Sequence, residues 1–337
     1  METIENKIQM QQNIEINKIY SEPCLDTVSM MPDNFLDCVI TSPPYWQLRD
    51  YGYDGQWGLE PTFQEYLEHL WSLMDAVYPK LKDCGTVWIN LGDTYSGSGG
   101  SGGDYNEGGL REGQPKVRPS KVEIKNKCLL LIPHRFAIGC IDRGWIVRND
   151  IIWAKRNGMP ESVADRFSKK HEYFFFMVKK EKYYFDLDII RNNVNIGSVK
   201  RKLRGSNDNK YSKGKYPTSA INNLSKERKY KGYGCLDEEL SKTKGPNPGD
   251  VSDFWDIPTK PNKLNHYATY NESLISKPIL AGCPEGGIIY DPFMGTGSTA
   301  EAAFKAGRKY IGSEMSEEYC KIAEKRLKAL TSQLNLF

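Results

Sequence analysis

Ser42-Pro43-Pro44-Tyr45, within the run DCVITSPPYW, is the densest chemical signal in this 337-residue chain. It closes an apolar segment, Cys38-Val39-Ile40, so its polar and aromatic atoms are expected at the end of a buried strand. Two successive prolines hold φ near about −65° and remove two backbone donors. What is left is a rigid turn carrying a hydroxyl, free carbonyl oxygens and one aromatic face. Such a set suits an amino group on a flat ring: the oxygens accept its N–H bonds and the Tyr45 ring stacks on its face. Taken alone, the same residues also read as a proline turn ending an ordinary strand.

A second motif lies much later, Ile288-Ile289-Tyr290-Asp291-Pro292-Phe293-Met294-Gly295-Thr296-Gly297-Ser298-Thr299. It predicts a short buried strand, a glycine turn, and a helix through Ala300, Ala303 and Phe304 that stops at Gly307. Glycines at a strand-to-helix turn let the backbone approach a ligand closely. The pattern is not GxGxxG and no phosphate-binding lysine follows, which disfavours both a nicotinamide nucleotide and ATP. Next comes Lys309-Tyr310-Ile311-Gly312-Ser313-Glu314, a second strand ending in an acid 17 residues beyond Gly297. That spacing is close to the one at which a strand-end acid accepts ribose hydroxyls. Strand, glycine turn, helix, strand and acid in this order point to an adenosine-type ligand.

Together the two motifs resemble the amino-group DNA methyltransferases, which use S-adenosylmethionine to methylate an exocyclic nitrogen of a base. The catalytic motif precedes the cofactor motif, as in the permuted beta class of that family. Lesser similarities are Gly85-Thr86-Val87-Trp88-Ile89-Asn90-Leu91-Gly92-Asp93, the stretch DIIWAKRN from Asp150 to Asn157, and His171-Glu172-Tyr173. His266-Tyr267-Ala268-Thr269-Tyr270 is similar to the segment leading into the family's cofactor site, although Asn271 stands where proline is common.

The resemblance implies a catalytic group of Ser42, Pro43, Pro44 and Tyr45. Pro43 through its carbonyl and Ser42 would accept the two N–H bonds of the amine, while Tyr45, with Trp46, would stack on a base flipped out of the duplex. It implies a cofactor group of Asp291, Pro292, Phe293, Gly295, Gly297, Ser298, Glu314, His266 and Thr269, with Asp291 suited to the ammonium of the cofactor's methionine part. Asp93 reads either as facing the same cleft or as an ordinary strand-end acid, and His171 and Glu172 read as structural. In the family, a serine before Pro-Pro is associated mainly with cytosine N4, so site-specific N4-cytosine methylation of double-stranded DNA is the expectation. N6-adenine methylation is the alternative, and a non-catalytic nucleic-acid-binding module is the reading from another class. A restriction-modification or phage/host DNA-modification setting would pair the chain with a cognate restriction endonuclease.

The net charge is only +3, but its distribution is uneven. Residues 191–250 hold 14 Lys and Arg against 6 Asp and Glu, interleaved with Tyr211, Tyr216, Tyr230 and Tyr233. Lysine and arginine supply phosphate contacts, and Asn, Arg and Tyr reach base edges. Lys200, Arg201, Lys202, Arg204 and Lys229 are therefore candidate DNA contacts, with a disordered basic linker as the competing reading. The glycine- and serine-rich run from Ser96 to Gly103, continuing polar to Ser120, is expected to be mobile. It reads either as a loop that orders over DNA through Lys116, Arg118 and Lys121, or as an inert surface loop.

Alternating strands and helices must position these motifs. Thr62-Phe63-Gln64-Glu65 is a capping-box start, followed by Phe63, Tyr66, Leu67, Leu70, Met74, Val77 and Leu81 at helical spacing. A strand is expected over Thr86–Leu91, a helix from Pro133 to Asp142 stopping at Gly144, a strand beginning at Ile151, and a fully apolar central strand over Tyr173–Val178. Ser316 is expected to cap a last helix carrying Tyr319, Ile322, Ala323, Leu327 and Leu330 inward. This pattern predicts an α/β fold with a doubly wound, mostly parallel sheet, whose ligands gather at the carboxyl ends of the strands. The expected division is a catalytic half at 1–190, with its glycine-rich loop at 95–120, a target-recognition insertion at 191–255, and a cofactor-binding half at 256–337.

Composition fits a soluble cytoplasmic enzyme, monomeric or homodimeric. No apolar run approaches the roughly 20 residues needed to span a bilayer, and the polar, acid-containing start METIENKIQMQQN resembles no targeting peptide. Eight cysteines are scattered without CxxC spacing, which disfavours a metal site or a disulfide framework. Pro23-Cys24 is similar to the Pro-Cys nucleophile of cytosine-C5 methyltransferases in the dipeptide alone, since no matching glutamate motif follows.

Overall fold

The computed structural model of the protein describes residues 14–97, 123–158, 161, 163–192, 251–259 and 272–334. They fall into two units, 1–184 with 253–337, and 185–252. Within the second unit the described residues form a single short 3-10 turn, Asp188–Ile190, where Asp186 Oδ1 accepts the N–H groups of Asp188 and Ile189.

The first unit is built on one sheet. Its strands are β1 (Lys18–Tyr20), β2 (Leu36–Thr41), β3 (Leu81–Leu91), β4 (Ile146–Ala154), β5 (His171–Val178), β6 (Phe254–Asp256), β7 (Ile288–Asp291) and β8 (Lys309–Ser313). Their spatial order is β1-β8-β7-β2-β3-β5-β4-β6. Only β5 runs antiparallel to its neighbours, β3 and β4; the other pairs are parallel. This is the doubly wound, mostly parallel α/β architecture expected.

Period-2 alternation divides the strand side chains between two cores. On one face Val39, Val87, Ile89, Phe175, Met177 and Tyr290 pack with Val28 of α1 (Cys24–Met30), Tyr66 and Leu70 of α2 (Phe63–Lys80), and Phe136 of α3 (Ile132–Asp142). On the other, Cys38, Ile40, Trp88, Phe174, Phe176 and Ile289 pack with three more helices. These are α4 (Glu272–Gly282) through Leu274 and Ile279, α5 (Ser298–Lys305) through Ala300 and Ala303, and α6 (Glu317–Leu334) through Leu327. No helix among the described residues is long and apolar enough to cross a membrane.

Several element ends differ from the sequence reading. Thr62 caps α2 by accepting the Glu65 N–H at 3.2 Å, but the helix ends at Lys80, after Pro79, and Leu81 turns extended to begin β3. β3 therefore starts five residues before Thr86, its exposed Asp83 and Cys84 masking the strand in the sequence. β4 likewise begins at Ile146, because Arg148, Asn149 and Asp150 are exposed and break the apolar pattern. Ser316 Oγ accepts the Tyr319 N–H at 3.3 Å at the start of α6. The Cys24 thiol opens α1, buried, with its pKa pushed up to about 12 by desolvation, a poor state for a nucleophile.

The chain leaves β2 through α2 to reach β3, and leaves β7 through α5 to reach β8 on the opposite side. β2 and β7 are themselves paired in parallel, Cys38 opposite Ile289 and Val39 opposite Tyr290. The winding thus reverses between these two strands, and a crevice at their carboxyl ends is where such folds take ligands.

Candidate active site at the adjoining ends of two strands

Ser42 follows directly on β2, flanked by the ends of β7 and β3. The turn after it is held by its carbonyls and rings. The Tyr66 hydroxyl donates to the Pro44 carbonyl at 2.8 Å, while no described residue donates to the Pro43 carbonyl. Gly58, at φ +94°, crosses beneath the turn so closely that a Cβ there would sit 3.0 Å from the Tyr45 carbonyl oxygen. The Tyr45 ring packs closely against Gly92, where a Cβ would come within 2.5 Å of Tyr45 Cε2.

The Tyr45 hydroxyl reaches inward. It lies 2.8 Å from Asn90 Oδ1 on β3 and 2.8 Å from Glu172 Oε2 on β5. Asn90 Nδ2 donates to the Tyr173 carbonyl at 3.0 Å, which fixes the amide with its oxygen toward Tyr45. Ser42 Oγ is 3.3 Å from the same Asn90 oxygen. Glu172 is ion-paired with Lys155 at the end of β4, whose ammonium also lies 4.2 Å from the Trp153 ring centre. Burial and the Glu172 charge hold the Tyr45 phenol well above its ordinary pKa, so it stays protonated.

Across the strand boundary Asp291 ends β7, almost fully buried. Its Oδ1 accepts the Thr41 hydroxyl at 2.7 Å and the Phe293 N–H at 3.0 Å, and its Oδ2 accepts the Thr299 hydroxyl. The carboxylate is turned into the protein and joins the end of β2, the glycine turn and the first turn of α5. This geometry gives Asp291 an organising role at the turn. In the same turn Gly297 has φ +84°, and a Cβ there would lie 2.8 Å from the Ala323 Cβ of α6, so its smallness serves helix packing. Gly295 is the opposite case: at φ +55° it faces open space, with nothing within 4 Å of a Cβ. Phe293 and Ser298 are half-buried, while Pro292 is buried.

Glu314, one residue past β8, is buried. Its Oε2 accepts the Gly295 N–H and its Oε1 the Ser316 N–H, each at 2.8 Å. Desolvation raises its pKa above the ordinary 4.5, partly offset by those two backbone donors. Two backbone bonds leave a carboxylate further acceptor sites. Tyr51, Tyr53 and Tyr319 lie within its electrostatic reach, and burial with the Glu314 charge raises all three phenols. Tyr51 and Tyr53 come from the loop after the Ser-Pro-Pro-Tyr turn, which Gln56 staples by accepting from the Tyr51 N–H and donating to the Arg49 carbonyl. Trp57 from that loop packs on Phe293, ring centres 5.3 Å apart.

The structure thus brings together Ser42, Pro43, Pro44, Tyr45, Asp291, Pro292, Phe293, Gly295, Gly297, Ser298 and Glu314 around one pair of strand ends. Trp46 is a correction. It is 5% exposed, its indole N–H donates to the Glu60 carbonyl at 3.0 Å, and it meets the Phe63 ring edge-on. It belongs to the core and has no face for a base. Asp93 also turns inward, Oδ1 accepting the Thr94 and Ile132 N–H groups at the head of α3. His266, Thr269, Lys200, Arg201, Lys202, Arg204 and Lys229 lie outside the described residues, as do Lys116, Arg118, Lys121 and residues 98–120 of the glycine-rich loop. Sequence reasoning did not find Asn90 and Glu172 as partners of Tyr45, Lys155 as the partner of Glu172, nor Tyr51, Tyr53 and Tyr319 as neighbours of Glu314. The first three sit inside stretches that carried a resemblance, which was the available signal.

Comparison with known proteins identifies the family and the fold. A family model described as DNA methylase, of the N6/N4 methyltransferase type, matches residues 36–325. The chain is 30% identical over 318 residues to the Type II methyltransferase M.SmaI of Serratia marcescens, covering 94% of this chain and 93% of that one. Among solved structures, the PvuII DNA methyltransferase (cytosine-N4-specific) superposes with a TM-score of 0.56 at 16% identity, covering 91% of this chain and 84% of that one. A putative DNA modification methylase of Thermus thermophilus, solved in complex with S-adenosyl-L-methionine, superposes with a TM-score of 0.50 at 19% identity, covering 91% and 93%.

Proposed function

The chain belongs to the N6/N4 DNA methylase family, and we propose that it methylates the exocyclic N4 of cytosine at specific sites in double-stranded DNA. The observation that carries this reading is the meeting of the two motifs: Thr41, which precedes Ser42, is bonded to Asp291, which opens the glycine turn. An amine-binding turn and an adenosine-type turn then share one crevice.

S-adenosylmethionine is the cofactor and supplies, when bound, an electrophilic methyl group on a sulfonium. The residues fit it. Glu314 offers a pre-oriented carboxylate with unused acceptor sites to a ribose diol, Gly295 leaves open space at the turn, and Phe293 and Trp57 supply an aromatic wall. Asp291 positions this turn through its bonds to Thr41, Phe293 and Thr299.

An exocyclic amine is a weak nucleophile because its lone pair is delocalised into the ring. The Pro43 carbonyl and Ser42 Oγ accept its two N–H bonds and favour a more tetrahedral nitrogen. Packed against Gly92 and with its hydroxyl bonded inward, the Tyr45 ring is held in one pose, in which it stacks on the base. Holding reactants in this way provides much of the rate in such a design. Tyr45, kept protonated, is no base, and none is needed to begin the reaction. The target base leaves the duplex to reach the turn. The basic stretch within 191–255 reads the sequence, and the serine before Pro-Pro favours cytosine over adenine. The relative's Type II name supports a restriction-modification setting with a cognate endonuclease.

The test is incubation with labelled cofactor and unmethylated duplex DNA, followed by mass spectrometry of the digested nucleosides. N4-methylcytosine is expected, with Ser42→Ala losing most turnover while cofactor binding persists. N6-methyladenine alone would reassign the base, and no methylated nucleoside would remove the activity.

A further inference from the structure

The segment joining β4 to β5 stands on the same rim as the Ser-Pro-Pro-Tyr turn. Ala154, ending β4, pairs with His171, which opens β5, and Tyr173 pairs with Leu91 at the end of β3. The segment therefore lies at the carboxyl ends of β3 and β4, as Ser42 lies at that of β2. The glycine turn and Glu314 follow β7 and β8, on the opposite side of Ser42. With the cofactor on that side, a nucleotide moving onto Tyr45 comes from the side where this segment sits.

Within the segment Phe167 is 97% exposed. A lone apolar residue on a surface is ordinary, but the backbone carrying this one is pinned on both sides. Arg166 donates to the Phe167 carbonyl at 3.0 Å and to Glu161 at 2.6 Å. Its guanidinium lies 4.0 Å from the Tyr95 ring centre, and Asp165 is paired with Lys127 at 2.6 Å. Beyond the ring, the Lys169 ammonium donates to the carbonyl of Asp93, the neighbour of the Gly92 that packs on Tyr45. The Lys170 carbonyl accepts the Lys155 N–H at 2.8 Å.

Five residues separate Phe167 from Glu172, a span of at most about 18 Å, and Glu172 Oε2 is 2.8 Å from the Tyr45 hydroxyl. The setting is cationic as well. Residues 155–170 hold five Lys and Arg against one Asp and one Glu, a balance that favours a phosphate backbone alongside.

A base that leaves the duplex opens a gap in the stack. Apolar side chains inserted between base steps can fill such a gap, and a phenylalanine ring does so with no polar atom left unsatisfied. We propose that Phe167 is the wedge that enters the duplex beside the target and occupies the place the base vacates. The inference rests on the methyltransferase reading and deepens it. The ring touches the neighbouring bases, never the reacting nitrogen, and it stabilises the open duplex.

The experiment compares F167A, F167L and F167K with wild type. Methyl transfer from tritiated S-adenosylmethionine to unmethylated genomic duplex DNA is followed in single turnovers with enzyme in excess. F167A is expected to lower the rate about 10-fold, within the worth of one aromatic stack on a base. Its thermal unfolding and its cofactor affinity should match wild type. F167L keeps an apolar wedge and should recover most of the rate, whereas F167K should not. The methylated position is then located by sequencing, and a short duplex is made with an abasic residue opposite it. There the base leaves without breaking a pair, so the F167A deficit should fall below about 2-fold.

An F167A rate equal to wild type on genomic DNA overturns the proposal. So does recovery by F167K, since the position would then serve the phosphates through charge. An equal F167A deficit on the abasic duplex overturns it too, because the ring would then act on something other than base opening. A lowered unfolding temperature in F167A would return the ring to the fold. A wild-type chain that transfers no label to DNA fails the methyltransferase reading instead, which separates the two failures.

Discussion

The Thr41 hydroxyl donates to Asp291 Oδ1 at 2.7 Å, across 250 residues of sequence. It is the point at which the turn proposed to hold the amine and the turn proposed to hold the adenosine are tied together. Asp291 accepts from Thr41, Phe293 and Thr299 together, so neither turn can shift without breaking a buried bond.

Glu314→Ala removes a buried carboxylate from the proposed ribose position. Cofactor affinity should fall by about 1.5–3 kcal/mol, the range for a hydrogen bond to a charged group. Titration calorimetry on the folded variant measures it, and an unchanged affinity would take Glu314 out of the site.

The same residue predicts a pH dependence. Burial holds the Glu314 carboxyl above its ordinary 4.5. Between 4.5 and the raised value the folded chain keeps a proton that the unfolded chain releases. Its contribution to the stability of the free protein is therefore complete below 4.5 and is lost as pH rises through the folded value. Glu314→Gln lacks this titration, so its melting temperature relative to wild type should climb from about pH 4 toward neutrality. A difference that stays flat across that range contradicts the assignment.

Gly92→Ala places a methyl group 2.5 Å from Tyr45 Cε2. The ring must move, and the face offered to the base moves with it. Single-turnover methyl transfer should drop on the order of 10²-fold, while calorimetry finds cofactor affinity unaltered. A normal rate would mean that the pose of the Tyr45 ring is unimportant.

Trp46→Ala should behave as a core deletion. Loss of a buried tryptophan costs roughly 3–5 kcal/mol, read as a lowered denaturation midpoint. A variant of wild-type stability and impaired DNA affinity would restore Trp46 to the DNA surface.

Replacing 191–250 with a short neutral linker should abolish site-selective DNA binding and leave cofactor affinity largely intact. Protection of the same DNA sites by the shortened chain would move recognition elsewhere, with the glycine-rich loop as the next place to look.

Much of this fold was legible because its signals are local. The capping threonine at Thr62, the glycine stop at Gly307 and the apolar run through Phe174 and Val178 each depend on a few adjacent residues. The ends of β3 and β4 were missed where exposed polar residues interrupt a strand whose pairing is set by its neighbours. The site motifs were legible for the same reason, since Ser42 to Tyr45 and Asp291 to Gly297 are contiguous. Side-chain direction was not. Trp46 and Asp291 stand beside exposed and ligand-facing positions in sequence, yet both turn inward to partners, Glu60 and Thr41, that only the fold supplies. Glu172 reaches Tyr45 across 127 residues, a relationship carried by strand order alone.

The pairing of β2 with β7 has a consequence for how the molecule comes into being. As the chain is made, β2 emerges early, and α2 soon delivers β3 to one of its edges. Its other edge waits for Ile289 and Tyr290. At ribosomal rates of roughly 5–20 residues per second, some 250 residues take on the order of 10–50 s. Throughout that interval the nascent chain carries a buried-type strand with one row of open backbone donors and acceptors, a template for pairing with other chains. A protein wound in this order is therefore exposed to mispairing at that edge until β7 has been made, and the two motifs meet only once β7 has closed it.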